Sequence, residues 1–597
     1  MCSLEVAVAA PAAAADPELY AGPAIVRLYR LQLDPAAGGK PLPLPKRALL
    51  LAGDCAAVAT AIVGGAWPRV ARFPGVTAGT YTVAAFVDGG GGELDFAKPQ
   101  PLGWLCSAGG YGGAGSVLTV DGRAVATTAV TLRHATPPPT TNRAVSGGMA
   151  GWRGGCNVVH LRGSSPYARG VAHGQLLGRQ VLDFLEYYIV EEASGGPARY
   201  AVLHAIFGSE LYATPKEFDA EAAGLIAGVV EATGGGYLET LGRPLDVVDV
   251  ACLNSVVLVG VTLAEWAAGR LGGLTFGQAA AAAETVDAAE SAGAECTQFG
   301  CWGAATAGGD AAGGTIVGRN MDGEVDVRKV TVTHLILLAV DRSDPPAGHD
   351  RAAAKPERAG QRHVSVSWPG GIGVSTGLNS AGLWCASNAG SMRGPPFLVP
   401  DGSGPAGSHP LNSNCIRTLL DTPLPQSPAP AEAVAVLHSV AAPSGGIRPG
   451  GCLLIAQPYR GQAHGGAYVY EGDHTGGQIR TAEQSADFAP HQPDCVMVTN
   501  HNMVRGCEAD RPGGVSGAGP SAVFGRPVGF SSTWRYQAGA SRLAALRRAN
   551  QPIGTEQMKQ LLQVGRRPTL LLLPSRKPPL APPAESRLRV LTAAHRR

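Results

Sequence analysis

The spacing of the apolar residues changes close to Cys296, and this change limits what the chain can fold into more than any other feature. Upstream, apolar residues recur at helical spacing and predict three helices, at 168–191, 218–232 and 247–267. Downstream, short strand-forming runs separated by turn residues predominate, with helices only at 412–421 and 431–440. Strands, then helices, then strands predict packed layers of helices on a mostly antiparallel sheet, which is an α+β fold.

The N-terminal part of the chain has the pattern of an all-β unit. Residues 25–33 and 80–87 alternate apolar and polar side chains, and Gly-rich turns separate these runs. The stretch GVTAGTYTVAAFVD at 75–88 resembles one hairpin of a small β-sandwich module of the prealbumin-like kind. Its acidic residues are of a type that binds calcium, but solvated acids of a turn are the favoured interpretation.

The 597-residue chain is therefore predicted to contain six segments. They are a disordered N-terminus at 1–22, a small β-sandwich-like module at 23–135, a Pro/Gly linker at 136–156, a helical segment at 157–295, a strand-rich core at 296–567 and a disordered tail at 568–597.

Charge and cysteine content exclude several classes of function. The net charge is only +2, which argues against a nucleic-acid partner. The sequence contains no run of about twenty uncharged apolar residues, so no membrane span is predicted. The 12 cysteines show neither a CxxC pair nor a dense disulfide pattern, so no metal site is expected and most thiols are predicted to be buried and reduced. The first twenty residues lack a basic start and contain Glu5 and Asp16, which is untypical of a signal or transit peptide and leaves the compartment open.

Cys296 opens a predicted β-hairpin with strands at 296–306 and 315–322. Folding this hairpin brings Arg319, Asn320 and Asp322 towards the level of Cys296. A nearby cation favours the thiolate, which is the nucleophilic form of cysteine, and a nearby carboxylate can hold an amine. Spacing alone nevertheless favours a plainer interpretation, a core cysteine beside a solvated ion pair at the strand end.

Five segments, in order, resemble the N-terminal-nucleophile hydrolases of the penicillin acyltransferase (peptidase C45), choloylglycine hydrolase and acid ceramidase type. The first is CTQFGCWGAATAGGDAAGGTIVGRNMD at 296–322, where Cys-Thr is followed by a strand, a turn and Gly-Arg-Asn-Met-Asp. The others are VVHLRGSSPYARGVAHGQLL at 158–177, GLNSAGLWCASNAG at 377–390, MVTNHN at 497–502 and SSTWRY at 531–536. The resemblance covers about 157–562 and implies a four-layer αββα sandwich with a helical prosegment at 157–295.

The resemblance also implies a precursor that cleaves itself between Glu295 and Cys296. The thiol attacks the preceding carbonyl, the thioester is hydrolysed, and Cys296 becomes a new N-terminus. Physical chemistry supports this logic, because a nucleophile needs a base within reach and a freed α-amine has a pKa of roughly 8. Before cleavage the nitrogen of Cys296 is an amide without a basic lone pair, so cleavage is the activating step.

Each implied role falls on a matching residue. Asp322 would hold the α-amine, and Arg319 would lie against the thiol. The backbone N–H of Asn388 and the side-chain amide of Asn500 would form the oxyanion hole. Arg535 would complete the charged site.

Four other residues compete for a role. Cys301 lies on the same predicted strand at odd spacing from Cys296, so it should face the opposite side. Cys385 lies near Asn388 in sequence, but a core position is favoured. His173 is predicted to cap or pack a helix, and His501, although adjacent to Asn500, is not required as a base.

The favoured function is therefore hydrolysis of a linear, non-cyclic amide, or acyl transfer to an amine, through a Cys296 thioester. The substrate would be a small amide or acyl compound of open identity, with no cofactor or metal, and the cleaved subunits are expected to stay associated. Two alternatives stay open. One is a phospholipase B-like hydrolase of the same superfamily, and the other is a catalytically inactive relative with a binding role.

Overall fold

The computed structural model describes the following parts of the chain: residues 2–10, 20–31, 33–34, 40–41, 57–88, 102–104, 118–121, 126–132, 142–153, 156–163, 165–194, 196–208, 214–255, 295–322, 336–342, 362–389, 411–425, 427–440, 451–473, 476–484, 492–504, 522–523, 526–527 and 530–563.

The N-terminal strands form two main sheets around one apolar core. They are β1 (Cys2–Ala9), β2 (Ala24–Arg30), β3 (Leu33–Asp34), β4 (Lys40–Pro41), β5 (Ala59–Val63), β6 (Arg69–Val76), β7 (Gly79–Val87), β8 (Leu102–Trp104), β9 (Leu118–Val120) and β10 (Ala126–Thr131). One sheet has the order β10-β1-β6, and the other has the order β5-β2-β7-β8 with β9 paired to β7. Leu4, Val6 and Phe73 of the first sheet pack against Val26 and Val83 of the second.

Residues 2–9 correct the prediction that 1–22 is disordered. Strand β1 lies in the middle of its sheet, parallel to β10 and antiparallel to β6. Leu4, Val6 and Val8 alternate with half-buried residues and are fully buried in the core, which is the period expected of a strand with one apolar face.

The remaining strands follow in chain order. They are β11 (Arg143–Val145), β12 (Gly148–Arg153), β13 (Cys156–Arg162), β14 (Tyr237–Leu238), β15 (Arg243–Pro244), β16 (Glu295–Cys301), β17 (Ile316–Asp322), β18 (Ile336–Asp341), β19 (Arg362–Ser367), β20 (Thr376–Asn379), β21 (Trp384–Ala389), β22 (Gly451–Ala456), β23 (Ala467–Asp473), β24 (Gly476–Arg480), β25 (Cys495–Val498), β26 (Ala522–Val523) and β27 (Arg526–Pro527). Most of them belong to a ten-stranded sheet with the order β11-β12-β13-β18-β19-β20-β21-β22-β23-β24. Only its β13–β18 pair is parallel.

The prediction of a linker at 136–156 is wrong for the residues of β11 and β12. These two strands form an antiparallel hairpin that continues onto β13. The Gly-rich sequence of this stretch reflects close packing, because a Cβ atom at Gly148 would press on Leu176, Ala172 and Leu161. The ten-stranded sheet therefore begins inside the stretch predicted to be a linker.

The helices lie between and beside these strands. They are α1 (Pro166–Asp183), continued by a π-helical segment (Phe184–Ala193), then α2 (Pro197–Phe207), α3 (Lys216–Thr233), α4 (Val247–Leu253), α5 (Asn412–Asp421), α6 (Pro430–Val440), α7 (Phe530–Arg548) and α8 (Thr555–Leu562). The predicted helix at 412–421 is confirmed, and the predicted strand at 296–306 ends earlier, at Cys301, where a short 3-10 turn begins at Gly303 with a φ of 53°. The predicted stretch 256–267 and the tail at 568–597 lie outside the described residues.

A second sheet of three strands, in the order β17-β16-β25, packs on the ten-stranded sheet. Val496 and Val498 of β25 meet Cys452, Leu454 and Val469 of β22 and β23. The opposite faces of both sheets are covered by helices. Phe299 and Met497 of the small sheet pack on α7 and α8, whereas Leu453 and Ile455 of β22 pack on α5 and α6. The fold is thus α+β, and β16 lies buried between other elements on both faces.

The helices of the upstream segment, residues 157–295, cover another part of the large sheet. Helix α1 begins at Pro166, and Ser165 caps it by accepting a hydrogen bond from Ala168 N at 3.3 Å. Its apolar face packs on β12 and β13 through Ala150, Val159 and Leu161. No helix among the described residues is long and apolar enough to cross a membrane.

Helices α1 and α3 touch through their backbones. A Cβ atom at Gly174 of α1 would lie inside van der Waals contact of the Leu225 carbonyl oxygen and the Val229 nitrogen, and one at Gly228 of α3 would meet the Val171 carbonyl oxygen. Because backbone atoms cannot move aside as the end of a flexible side chain can, glycine is required at this crossing.

We predict that Gly174→Ala lowers the free energy of unfolding by about 1–3 kcal/mol, because the new methyl group pushes the two helices apart. Helix propensity alone would act in the opposite direction, since Ala is favoured over Gly by up to about 1 kcal/mol. Urea unfolding measures the difference. Gly235→Ala is the matched control, because no atom lies within 4 Å of a Cβ there; equal losses for both variants would contradict the close crossing.

Candidate active site

Cys296 lies on the middle strand of the small sheet, and its side chain is 2% exposed. In the hairpin of β16 and β17, Cys296 pairs with Met321 and Gln298 pairs with Arg319. Alternate residues of a strand face the same side, so the side chains of Cys296, Gln298 and Arg319 share the face that looks towards the ten-stranded sheet.

Arg319 lies beside the thiol and is held there by two backbone carbonyls. Its Nη2 is 3.7 Å from Cys296 Sγ. Its Nη1 donates to the Ser375 carbonyl at 2.9 Å, and Nη2 also donates to the Ser387 carbonyl. Because both acceptors belong to the β20–β21 region of the large sheet, the position of the guanidinium depends on how the two sheets pack.

Asn500 contacts the backbone nitrogen of Cys296. Its Oδ1 accepts a hydrogen bond from Cys296 N at 2.8 Å and another from Arg535 Nη2, also at 2.8 Å. Its own backbone N–H donates to Ser532 Oγ at 2.8 Å. The segment that follows β25 and the start of α7 are thereby joined to the first residues of β16.

Arg535, on α7, is 1% exposed and contacts the other side of the Cys296 peptide. Its Nη1 donates to the Cys296 carbonyl at 2.6 Å and to Thr297 Oγ1 at 2.9 Å. A buried guanidinium is tolerated only where its donors are satisfied, so these bonds and the bond to Asn500 fix the register between α7 and β16.

Asn388 lies at the end of β21 and joins the two sheets through its side chain. Its Oδ1 accepts from Gln298 Nε2 at 2.6 Å, and its Nδ2 donates to the Thr499 carbonyl at 2.9 Å. The structure thus brings Cys296, Arg319, Asn388, Asn500 and Arg535 to one place.

The remaining predicted site residues are described only by their backbones. Glu295 and Asp322 are directly paired at the open end of the β16–β17 hairpin. Their side chains lie outside the described part of the structure. The predicted contact between the Asp322 carboxylate and the nitrogen of Cys296 stays a prediction.

The competing residues have other surroundings. Cys301 and Cys385 are fully buried in apolar clusters, away from the face that carries Cys296, and burial raises the pKa of the Cys385 thiol. His173 is fully buried in α1, and its Nε2 accepts from Gly370 N at 3.1 Å. Burial lowers the pKa of His173 to about 4, so it is neutral near pH 7.

Sequence reasoning missed Gln298, although a signal was available. It lies two residues after Cys296 and must share its strand face, and it ties β16 to Asn388 and to the Ala386 carbonyl. Glu471 of β23 was also missed. Its carboxylate binds Arg480 Nε at 2.7 Å and accepts from Met503 N and Val504 N at 2.8 and 2.9 Å, which holds the segment that follows Asn500.

One group among the described residues has the ligand types of a metal site. Ligand atoms of His204, Asp246 and Asp249 lie within 4.8 Å of one another. Arg243 already donates to both carboxylates, with distances of 3.1 Å to Asp246 and 2.7 Å to Asp249, and Tyr200 donates to Asp249 at 2.7 Å. Arg243 therefore offsets part of the negative charge of the two carboxylates, and the group lies in the upstream segment and not beside Cys296.

Comparison with known proteins gives little further guidance. No protein-family model and no curated protein matches the chain. Among solved structures, the chain is similar to an N-acylethanolamine-hydrolyzing acid amidase ortholog from Caenorhabditis elegans, at 13% sequence identity and a TM-score of 0.25, over 45% of this chain and 85% of that one. Such a TM-score is too low to establish a common fold, so the function must be inferred from the residues around Cys296.

The surroundings of His501 predict a pH dependence of stability. Its Nδ1 lies 2.8 Å from Ser532 Oγ and 3.1 Å from Thr499 Oγ1. Burial lowers the pKa of His501 to about 4, and the charges of Arg480 and Arg535 act in the same direction against the opposing charge of Glu471. An unfolded histidine titrates near 6.5, so between pH 6.5 and 4 the unfolded state binds a proton that the folded state does not.

We predict that this histidine lowers stability as the pH falls from 6.5 to 4 and has little effect above pH 6.5. Relative to His501→Gln, the wild type should lose about 2 kcal/mol more unfolding free energy between pH 7 and pH 4.5. Urea unfolding at several pH values measures this difference. Parallel pH dependences of the two proteins would show that His501 is not buried in its neutral form.

Proposed function

We propose that the chain is a self-cleaving N-terminal-nucleophile hydrolase or acyltransferase that acts on linear amides, with Cys296 as nucleophile. One observation carries the proposal. The thiol, the nitrogen and the carbonyl of Cys296 each contact a different predicted site residue, namely Arg319, Asn500 and Arg535. The buried backbone of a core cysteine also needs hydrogen-bond partners, but these need not be the side chains of an Asn and an Arg, and its thiol needs no cation beside it.

The packing of the layers supports the same proposal. Helices α7 and α8 cover the small sheet, the small sheet covers part of the large one, and α5 and α6 cover the other face of the large sheet. This succession fits the four-layer αββα sandwich that the sequence resemblance implies. The upstream segment would then be the prosegment.

Self-cleavage would begin at the Glu295–Cys296 peptide bond. Cys296 Sγ attacks the Glu295 carbonyl carbon, the C–N bond breaks, and the thiol proton passes to the nitrogen, leaving a thioester and a free amine. Water then hydrolyses the thioester and releases the Glu295 carboxylate and the Cys296 thiol. Arg319 favours the thiolate by its charge at 3.7 Å, and Asn500 Oδ1 holds the nitrogen that becomes the α-amine.

Turnover would use the same atoms. The α-amine of Cys296 accepts the thiol proton, the thiolate attacks the carbonyl of the substrate amide, and the departing amine takes the proton back. The resulting thioester is hydrolysed by water or transferred to a second amine. In this proposal Asp322 helps to hold the α-amine, and the backbone N–H of Asn388 and the side-chain amide of Asn500 stabilise the oxyanion.

The first test is the state of the chain itself. We predict that the purified protein gives two fragments on a denaturing gel and that one begins Cys-Thr-Gln-Phe, at Cys296. Cys296→Ala should remain a single chain because no thiol can attack Glu295. N-terminal sequencing and intact-mass measurement identify the cut.

Cys301→Ala is the matched control, because Cys301 lies on the same strand but faces α7 and α8. It should cleave as the wild type does. A wild-type chain that stays intact after prolonged incubation at neutral pH, with no thiol-dependent amidase activity, would overturn the proposal.

The second test separates two roles of Asn500. We predict that Asn500→Asp keeps the acceptor for Cys296 N but lowers kcat about 10²–10³-fold, because it removes the amide donor proposed for the oxyanion. Hydrolysis of a panel of chromogenic N-acyl anilides with short and long acyl chains measures kcat, and circular dichroism checks the fold. A kcat within threefold of wild type would leave Asn500 with the acceptor role alone.

A further inference from the structure

We propose that Asn254, which follows α4 in the upstream segment, is a positioning residue for the Cys296 thiol. It holds the β19–β20 loop, defined here as residues 368–375, and the last residue of this loop holds Arg319 beside the thiol. The inference rests on the proposed function, in which Arg319 favours the thiolate.

The β19–β20 loop is unusual because its backbone is almost entirely buried. Residues 368–374 are all buried, and only Ser375 is half-buried. Buried N–H and C=O groups that lose water need partners within the protein. Gly370 has a φ of 82°, so the loop turns through a backbone conformation that side chains other than glycine rarely adopt.

Asn254 provides three of these partners with a single side chain. Its Oδ1 accepts from Ile372 N and from Gly373 N, each at 2.8 Å. Its Nδ2 donates to the Gly370 carbonyl at 3.2 Å and to the Val250 carbonyl of its own helix at 2.8 Å. One amide group thus joins the end of α4 to both sides of the loop.

Neighbouring residues of the upstream segment contact the same loop. His173 accepts from Gly370 N at 3.1 Å, and the Leu253 carbonyl accepts from Trp368 Nε1 at 3.3 Å. From the other side, Val374 N donates to the Ser413 carbonyl at 3.0 Å. The loop is therefore hydrogen-bonded both to the upstream segment and to α5. Among the side chains of the upstream segment, Asn254 makes the most of these bonds.

Two contacts connect the position of the loop to the thiol. Gly373 is two residues from Ser375, whose carbonyl accepts from Arg319 Nη1 at 2.9 Å and from Ser387 N at 3.0 Å. Arg319 Nη2 in turn lies 3.7 Å from Cys296 Sγ. Displacement of the loop would move Ser375, and with it the guanidinium that lies against the thiol.

The test is the pH at which the Cys296 thiol becomes reactive in the full-length protein. The rate at which iodoacetamide alkylates Cys296 is measured by peptide mass spectrometry at a series of pH values. The midpoint is the pH at which this rate reaches half of its maximum. Arg319→Ala sets the reference, and we expect it to raise the midpoint by about one pH unit or more. Asn254→Ala should raise the midpoint in the same direction, and Asn254→Asp, which keeps the acceptor atoms, should raise it less.

Asn379 provides a matched control at the other end of β20. Its Oδ1 accepts from Ala381 N and Leu383 N, and its Nδ2 donates to the Leu420 carbonyl, so it is a similar clamp that does not lead to Arg319. Asn379→Ala should lower the melting temperature as Asn254→Ala does but leave the midpoint unchanged. In the double variant, Arg319→Ala with Asn254→Ala, the midpoint should move no further than with Arg319→Ala alone.

An unchanged midpoint in Asn254→Ala, or an equal rise in Asn379→Ala, would overturn the positioning role. If Asn254→Ala does not fold, Asn254→Ser, which is too short to reach Ile372 and Gly373, takes its place with the same expected rise. Because alkylation needs neither self-cleavage nor substrate, the result stands apart from the proposed function. If the protein never cleaves itself but Asn254→Ala still raises the midpoint, the positioning role of Asn254 stands and the proposed enzyme activity fails.

Discussion

A buried positive charge determines how the parts around Cys296 fit together. Arg535 has almost no access to water, and its guanidinium finds its acceptors on the Cys296 carbonyl, the Thr297 hydroxyl and the Asn500 side chain. Taking such a charge out of water costs several kcal/mol unless its donors are satisfied. Strand β16, the segment that follows β25 and helix α7 must therefore meet in one arrangement, and the same arrangement places Asn500 on the nitrogen of Cys296.

The electrostatics around the thiol come from the other sheet. Arg319 is carried by β17, but its anchors are the carbonyls of Ser375 and Ser387 on the large sheet. The thiol thus faces a cation whose position is set by sheet-to-sheet packing, whereas its backbone is fixed by α7. Two independent parts of the fold converge on one residue, which is how a site of high geometric precision is built from rigid elements.

Much of the arrangement around Cys296 can be predicted from the sequence, and the parts that cannot be predicted have physical reasons. The hairpin placed Arg319 near Cys296 because antiparallel pairing follows from a turn between two strands, and the resemblance added Asn388, Asn500 and Arg535, which no local spacing connects. Gln298 could have been found from the two-residue period of a strand. The strand at 2–9 also shows that period, but its alanine-rich surroundings concealed it. Asn254 could not have been found, because its contacts depend on the path of a loop more than a hundred residues away.

The parallel pair β13–β18 has a consequence for how such a chain could be made. Strand β13 lies upstream of Cys296 and β18 lies downstream, and they are joined along six residue pairs in the interior of the large sheet. A cut before Cys296 would leave one sheet built from two polypeptides, so neither piece alone would contain a complete hydrogen-bonded layer. Each would carry an open strand edge, the feature that drives sheets to aggregate. The two pieces would then be parts of one folding unit, and the large sheet would have to assemble before the cut.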